Sequence, residues 1–315
     1  MPSSAPLRLA INGYGRIGRC FLRALLESPS AGHLEIVAIN EPANLESMAY
    51  LTRYDSTHGR LRGEVEVSGS ALAINGRRIE VSHARTPEAV DWRALDIDLL
   101  IESSGGYGQR AELTRFLDAG CPRLLLSHPG FSGDDVDATI VNGINQNSLT
   151  GRERLVSAAS CTTNAIVPLL DLLDREVGVE QALLTTLHSV MNDQPLIDGY
   201  HHDDLRRTRS AMQSIIPVST GLARGVERLL PQLAGRVEAK AIRVPTLNVS
   251  ASNNYNASKL NDYTLEARRQ LLIGFTIQPW TNYTRETQVE NQSIAVDNAE
   301  ASLAAAHQTA ADIAA

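Results

Sequence analysis

The residue of this sequence with the clearest chemical potential is Cys161, which stands at the start of a predicted helix whose apolar stretch covers residues 165–173. Ser160, the residue before it, is a good helix N-cap. The N–H groups at a helix N-terminus stabilise a thiolate and lower the pKa of a cysteine thiol there. Because residues 162–164 are polar rather than core-like, we interpret Cys161 as a candidate nucleophile.

A histidine that could serve such a nucleophile follows 27 residues later, at the end of a strand-like run over residues 182–187. That spacing leaves room for the helix and a returning strand, and a cysteine paired with His188 would gain a general base. A buried, inert cysteine is the alternative, and it suits Cys20 and Cys121, which lie in or beside helical segments. From the residues alone, both interpretations of Cys161 stay open.

A second chemical signal is the glycine motif of residues 13–18, GYGRIG, which follows a predicted strand and opens a predicted helix. Its glycines permit a tight turn and a close approach to a pyrophosphate, which the helix N-terminus attracts. Glu41 ends the next predicted strand, 23 residues after Gly18, near the spacing expected of a ribose-binding acid. Glu41 predicts NAD rather than NADP, because its carboxylate would repel the 2′-phosphate of NADP. The alternative is a structural turn with a solvated Glu41.

The elements that must position these residues fall into two groups. Strands and helices alternate in the first half, which predicts an α/β fold with a doubly wound parallel Rossmann sheet. After about residue 156 the pattern predicts a second, α+β catalytic domain with a mixed or antiparallel sheet. We therefore predict an NAD-binding domain over residues 1–158 and a catalytic domain over residues 159–315. The last 65 or so residues diverge, and packing back on the first domain is one option for them.

Composition excludes several classes of protein. The 315 residues carry a net charge of -7 spread along the chain, whereas nucleic acids and anionic membranes select basic surfaces. Three cysteines without a C-x-x-C pair argue against a disulfide framework and a zinc ribbon, and no metal site is predicted. No apolar run approaches 18 residues and no secretory signal precedes the first strand. We expect a soluble, cytoplasmic enzyme.

Five segments together resemble the glyceraldehyde-3-phosphate dehydrogenase family. They are GYGRIGR at 13–19, ASCTTN at 159–164, TTLH at 185–188, SIIPVSTG at 214–221 and RVPT at 243–246. The resemblance extends from about residue 7 to about residue 252, and ASCTTN is its most specific part. It implies NAD as cofactor, a phosphorylated aldehyde as substrate and a homotetramer. In that assembly the loop of about residues 190–213 would reach toward a neighbour's cofactor.

Within the family, three details resemble the erythrose-4-phosphate dehydrogenases. They are Glu41, where glycolytic members usually carry Asp, the SHP triplet at 127–129 and HSVMNDQ at 188–194. This implies oxidation of D-erythrose 4-phosphate to 4-phospho-D-erythronate for pyridoxal phosphate biosynthesis. The alternatives are a phosphorylating glyceraldehyde-3-phosphate dehydrogenase and a non-catalytic NAD-binding relative.

The resemblance also implies residue roles. Cys161 would form a thiohemiacetal and then a thioester, with His188 as base. Arg243 would bind the substrate phosphate, and Met191 stands where glycolytic members tend to place Thr. A second anion site would comprise Arg207, Thr220 and Gly221 beside Ser160 and Thr162, although Arg207 could instead belong to a solvated basic loop. Cofactor contacts would come from Asn12, Gly13, Gly15, Arg16, Ile17, Gly18, Glu41, Ser104 and Ser127.

The family pattern fades in the last part of the chain. The segment that holds the nicotinamide carboxamide in the family is not legible there, and Asn298 is its only candidate, in a sequence that faintly resembles D-N-E. Either the tail completes the site and the sheet with unrelated residues, or the catalytic domain is incomplete.

Overall fold

The computed structural model of the chain describes residues 5–201 and 204–245. Its strands are β1 Leu7–Asn12, β2 Leu34–Asn40, β3 Tyr54–Asp55, β4 Gly59–Arg60, β5 Val65–Ser68, β6 Ala71–Ile74, β7 Arg77–Ser82, β8 Leu99–Glu102, β9 Leu124–Leu126, β10 Ala138–Thr139, β11 Leu155–Ser157, β12 Ala182–Ser189, β13 Ile216–Val218 and β14 Val237–Val244. Its α-helices are α1 Arg16–Glu27, α2 Leu45–Arg53, α3 Arg110–Asp118, α4 Cys161–Val177 and α5 Leu222–Leu229.

The first half of the chain builds a nine-stranded sheet in the order β10-β11-β9-β8-β1-β2-β7-β6-β5. The strands from β10 to β7 run parallel, and β6 and β5 add an antiparallel edge. The predicted Rossmann sheet is thereby confirmed. The hairpin between β6 and β7 turns at Asn75 and Gly76, whose φ angles of 52° and 75° are those of a type I′ turn.

The order in which the strands are added to the sheet reverses at β1. β1 pairs with β2 on one side and with β8 on the other, so a crevice opens above the carboxyl ends of β1 and β8. Ligands of open α/β sheets bind in such a crevice. The glycine motif lies there, between β1 and α1.

A separate three-stranded sheet follows, with β14 at its centre, parallel to β12 and antiparallel to β13. It packs with α4 and α5 around a core that includes Val167, Leu170 and Val226. The predicted mixed sheet is confirmed, and its register places His188 directly beside Arg243 on the neighbouring strand. The domain boundary after residue 158 stays a prediction.

The predicted N-cap at Ser160 is confirmed, because α4 begins at Cys161 and the Ser160 hydroxyl accepts a hydrogen bond from the N–H of Thr163. One local prediction was incomplete. Leu155–Ser157 form β11 of the large sheet, a strand too short for its hydrophobic pattern to be recognised.

Residues 246–315 lie outside the described part of the chain. The expectations for the divergent tail and for Asn298 therefore lie outside it as well. Within residues 5–201 and 204–245, no helix has both the length and the apolar character that crossing a membrane requires.

Candidate active site

The turn between β11 and α4 presents Cys161 as the first residue of the helix. Ala159 takes a left-handed conformation at φ 59° although it is buried, a conformation that costs a non-glycine residue roughly 1 kcal/mol. Asn164 offsets this strain, because its side-chain amide donates to the carbonyls of Ala158 and Ser160 at 2.7 and 2.9 Å. The turn therefore holds the sulfur at the helix N-terminus.

His188 completes the pair that the sequence predicts. Its Nε2 lies 3.6 Å from Sγ of Cys161. Its Nδ1 donates to the carbonyl of Ser189 at 2.7 Å, which fixes the ring so that Nε2 faces the thiol. A proton can therefore pass directly between the sulfur and the imidazole.

The two groups shift each other's ionisation. The hydrogen bond to His188 lowers the pKa of Cys161, against the opposing effect of burial. The same contact raises the pKa of His188, although burial and the charge of Arg243 oppose it. Cys121 contrasts with this pair, since burial raises the pKa of its thiol to about 12. The arrangement favours a thiolate–imidazolium pair at Cys161.

Two arginines meet beside this pair. Arg243, buried on β14, donates from Nη1 and Nη2 to the two carboxylate oxygens of Asp193 at 2.7 and 3.1 Å. Arg207 donates from Nη1 to the same carboxylate at 2.9 Å. Met191 is adjacent, with its sulfur 3.5 Å from Nη2 of Arg243. Asp193 is not predicted from the sequence, although it lies within the HSVMNDQ segment that the resemblance uses.

The other residues predicted to bind anions lie at the starts of α4 and α5. The hydroxyls of Ser160 and Thr162 are 3.0 Å apart, and Thr220 and Gly221 directly precede α5. A Cβ on Gly225 of α5 would lie 3.0 Å from the hydroxyl of Thr163 in the first turn of α4. The two helices therefore cross near their N-terminal turns, where N–H groups favour anions.

The glycine loop has the shape that a dinucleotide requires. Gly13 has φ 87°, and a Cβ on it would overlap the backbone of Ser104. A Cβ on Gly18 would overlap the carbonyl of Gly13, so α1 starts tightly against β1. Gly15 differs, since it has no atom within 4 Å of its Cβ position, and Ile17 is half exposed. The loop is thus closed behind and open in front, where a pyrophosphate would approach.

Glu41 and Arg16 flank this loop, and each has a protein partner. One carboxylate oxygen of Glu41 accepts the N–H of Tyr14 at 2.7 Å, which ties the end of β2 to the glycine turn. Arg16 forms an ion pair of 2.9 Å with the largely buried carboxylate of Asp55. Both side chains therefore stay at the mouth of the crevice.

A buried carboxyl group, Glu102, joins the other predicted cofactor residues. Its side chain accepts hydrogen bonds from the amide of Asn12 and from the N–H of Ser104, the latter at 2.8 Å, and its carbonyl accepts the N–H of Ser127 at 2.9 Å. Burial raises its pKa. We did not predict Glu102 as a site residue from the sequence. Its position at the end of an apolar strand, β8, could have indicated it.

The cysteine environments predict unequal reactivity toward iodoacetamide. We expect Cys161 to be alkylated far faster than Cys20 or Cys121 at neutral pH, because only a thiolate attacks. Its rate should rise with pH around a midpoint below that of an ordinary thiol, and His188→Asn should move that midpoint upward. Peptide mapping by mass spectrometry measures all three sites. Equal, slow labelling of the three cysteines would contradict the activated thiolate.

The glycine loop provides a matched pair of variants. Gly13→Ala should lower the free energy of unfolding by more than about 1 kcal/mol, since it adds left-handed strain and a backbone overlap. Gly15→Ala should leave stability nearly unchanged but weaken NAD binding, because its Cβ would enter the open front of the loop. Urea unfolding and fluorescence titration with NADH measure the two effects. Equal losses of stability would refute this description of the loop.

Comparison with known protein families identifies the chain. Residues 7–110 match the NAD binding domain of glyceraldehyde 3-phosphate dehydrogenase, and residues 160–264 match its C-terminal domain. The two matches together cover about two-thirds of the chain, and the second continues past residue 252, where we expected the resemblance to end. NAD is the cofactor that the first domain binds, and it fits the open glycine loop. The chain belongs to the glyceraldehyde 3-phosphate dehydrogenase family.

Proposed function

We propose that the chain oxidises D-erythrose 4-phosphate to 4-phospho-D-erythronate with NAD and water, a reaction that serves pyridoxal phosphate biosynthesis. The observation that carries this proposal is the 3.6 Å contact of Cys161 with His188 at the first turn of α4, next to a buried arginine. An activated thiol beside a cationic site suits a phosphorylated aldehyde. Glu41 and the segments at 127–129 and 188–194 favour erythrose 4-phosphate over glyceraldehyde 3-phosphate.

The first half of the reaction uses the thiolate. Cys161 Sγ attacks the aldehyde carbon, and the carbonyl oxygen takes a proton from the His188 imidazolium while N–H groups of the α4 N-terminus stabilise the developing charge. Bound NAD supplies the hydride acceptor. As the hydrogen on the carbon leaves as hydride, neutral His188 Nε2 takes the hydroxyl proton. A thioester remains on Cys161.

The second half releases the product. His188 would pass its proton to solvent and then remove a proton from water, whose oxygen attacks the thioester carbon. The carbon–sulfur bond breaks and Cys161 leaves as a thiolate. The carboxylic acid that forms releases its remaining proton to solvent, so the product is a carboxylate. Inorganic phosphate as the attacking group would instead give an acyl phosphate, which is the alternative reaction in this family.

We assign the substrate phosphate to Arg243, because a guanidinium donates two parallel hydrogen bonds to an anion. Both terminal nitrogens of Arg243 donate to Asp193 in the structure, so the phosphate would take the place of that carboxylate. Its place across from His188 in the sheet puts the charge of the substrate near the reacting sulfur. The second anion site would use Arg207, Thr220, Gly221, Ser160 and Thr162. The cofactor contacts that we propose are those of Asn12, Gly13, Gly15, Arg16, Ile17, Gly18, Glu41, Ser104 and Ser127.

Steady-state formation of NADH tests this function. We expect sustained turnover of erythrose 4-phosphate in phosphate-free buffer, whereas glyceraldehyde 3-phosphate should be the poorer substrate with or without phosphate. Cys161→Ser should abolish activity, and Cys20→Ser, a matched control on α1, should retain it. A strict requirement for phosphate would favour the phosphorylating alternative. No NADH from either substrate, with folded protein, would favour a non-catalytic NAD-binding relative.

We also propose that the chain assembles as a homotetramer through the loop of residues 190–213 and its flank. Five of the large apolar side chains in this region are 64 to 82% exposed within the described residues, more than monomeric proteins usually leave in one region. They are Leu196, Ile197, Leu205, Met212 and Ile215. Light scattering after size-exclusion chromatography should give four times the chain mass of 34.1 kDa. A monomer mass would refute the assembly.

A further inference from the structure

Four neighbouring strands of the large sheet each end in a polar side chain, at the edge where the cofactor crevice opens. In the order β8, β1, β2 and β7, these last residues are Glu102, Asn12, Asn40 and Ser82. The strand register pairs each of them with the next, and together they form the polar row. The first three are buried and Ser82 is half-buried. Because buried polar groups need partners, the direction of each hydrogen bond along the row matters.

The backbone of Ala84 fixes the direction of these hydrogen bonds. Its N–H donates to Oδ1 of Asn40 at 2.9 Å, and its carbonyl accepts from Nδ2 of Asn40 at 3.0 Å. Asn40 therefore presents its amide nitrogen to Asn12, whose Oδ1 accepts at 2.8 Å. Asn12 in turn presents Nδ2 to Glu102, whose Oε2 accepts. The other oxygen of Glu102 accepts the N–H of Ser104 at 2.8 Å.

Both side-chain oxygens of Glu102 thus face donors, and this pattern selects an ionised carboxylate. A carboxylate offers acceptors at both terminal atoms, whereas a glutamine amide carries an NH₂ donor at one of them. Burial raises the pKa of Glu102, and its hydrogen bonds with Ser104 and Asn12 oppose that rise. A glutamine here would set a donor against a donor, and the backbone of Ala84 keeps the neighbouring amides from turning over to relieve the conflict.

The two ends of the row meet the two sides of the cofactor site. At one end lies Ser104, a proposed cofactor contact, whose backbone would be overlapped by a Cβ on Gly13 of the glycine loop. At the other end Asn40 directly precedes Glu41, the proposed ribose acid, and the N–H of Glu41 donates to the carbonyl of Ser82 at 2.9 Å. A break in the row would therefore displace groups on both sides of β1.

We propose that Glu102 is a positioning residue for NAD, whose carboxylate sets the direction of the polar row and thereby holds Ser104 and Glu41 where the cofactor meets them. This inference rests on the cofactor contacts proposed above, and not on the identity of the aldehyde. Glu102 acts through other residues, because its own side chain is fully buried.

The test is a double-mutant cycle between residues 102 and 12. Glu102→Gln sets an amide NH₂ against a donor, and Asn12→Asp alone sets two carboxylates side by side. The double variant moves the carboxylate one position along the row, with the net charge of the wild type. There it accepts from the glutamine amide and from Asn40, while Ser104 donates to the glutamine oxygen, so that every donor in the row again has an acceptor.

Two measurements separate positioning from general stability. Calorimetric titration with NAD measures the affinity without any aldehyde, and urea unfolding measures the stability of each variant. Glu66→Gln is the charge-matched control, because Glu66 is exposed on the edge strand β5. Phe116→Leu lowers stability through the core behind α3 and shows what destabilisation alone does to the affinity.

The expected result is specific to the direction of the row. Glu102→Gln should bind NAD about tenfold more weakly than the wild type, a loss typical of one unpaired buried donor. Asn12→Asp should also weaken binding, and the double variant should recover most of the lost affinity. Glu66→Gln and Phe116→Leu should bind NAD as the wild type does.

Unchanged NAD affinity in folded Glu102→Gln would overturn the inference, as would a double variant whose losses are the sum of the two single ones. If Glu102→Gln does not fold by itself, the double variant decides. Binding of NAD close to that of the wild type supports the inference, whereas a double variant that is unfolded or binds weakly contradicts it.

Failure of the proposed function gives a different pattern. A wild type that binds NAD but forms no NADH from erythrose 4-phosphate would remove the proposed function, while the affinities of the variants would still decide the role of Glu102. A wild type that binds no NAD would overturn the inference together with the proposed cofactor contacts.

Discussion

The candidate active site depends on one contact, between the N-terminus of α4 and the end of β12. The Cys161 sulfur reaches His188 only because the backbone turns sharply after β11, with Ala159 in a left-handed conformation and Ser160 as the cap. The small mixed sheet fixes the other partner, since β12 and β14 share one register over eight residues. Loss of either constraint would separate the thiol from its base.

Each charged group around that contact has a partner of opposite charge. The imidazole of His188 lowers the pKa of Cys161, and the charge of Arg243 limits the rise in the pKa of His188. Asp193 in turn satisfies Arg243, whose buried guanidinium would otherwise be costly. The cofactor crevice has a comparable device in Glu102, a buried carboxyl group that links strand ends through Asn12 and Ser104. Both acids hold residues to which we assign roles in the proposed reaction.

Much of this arrangement can be predicted from local sequence. The glycine motif and the hairpin at residues 75–76 follow from patterns within a few residues, and α1 begins at Arg16, within the motif that was predicted to open a helix. The start of α4 could be predicted as well, because Ser160 is a good N-cap directly before Cys161. Asp193 and Glu102 could not be predicted in this way, because Asp193 pairs with Arg243, 50 residues away, and Glu102 with Asn12, 90 residues away, and only the fold brings them together.

We propose above all that Cys161 carries the substrate covalently while His188 donates and accepts the protons. Acid quenching within the first turnover on erythrose 4-phosphate and NAD, followed by mass spectrometry of the peptides, tests it most directly. We expect one acyl group per chain on the peptide that contains Cys161, and a loss of that adduct in His188→Asn on the same time scale. NADH formed without any adduct, or an adduct on Cys20 or Cys121, would contradict it.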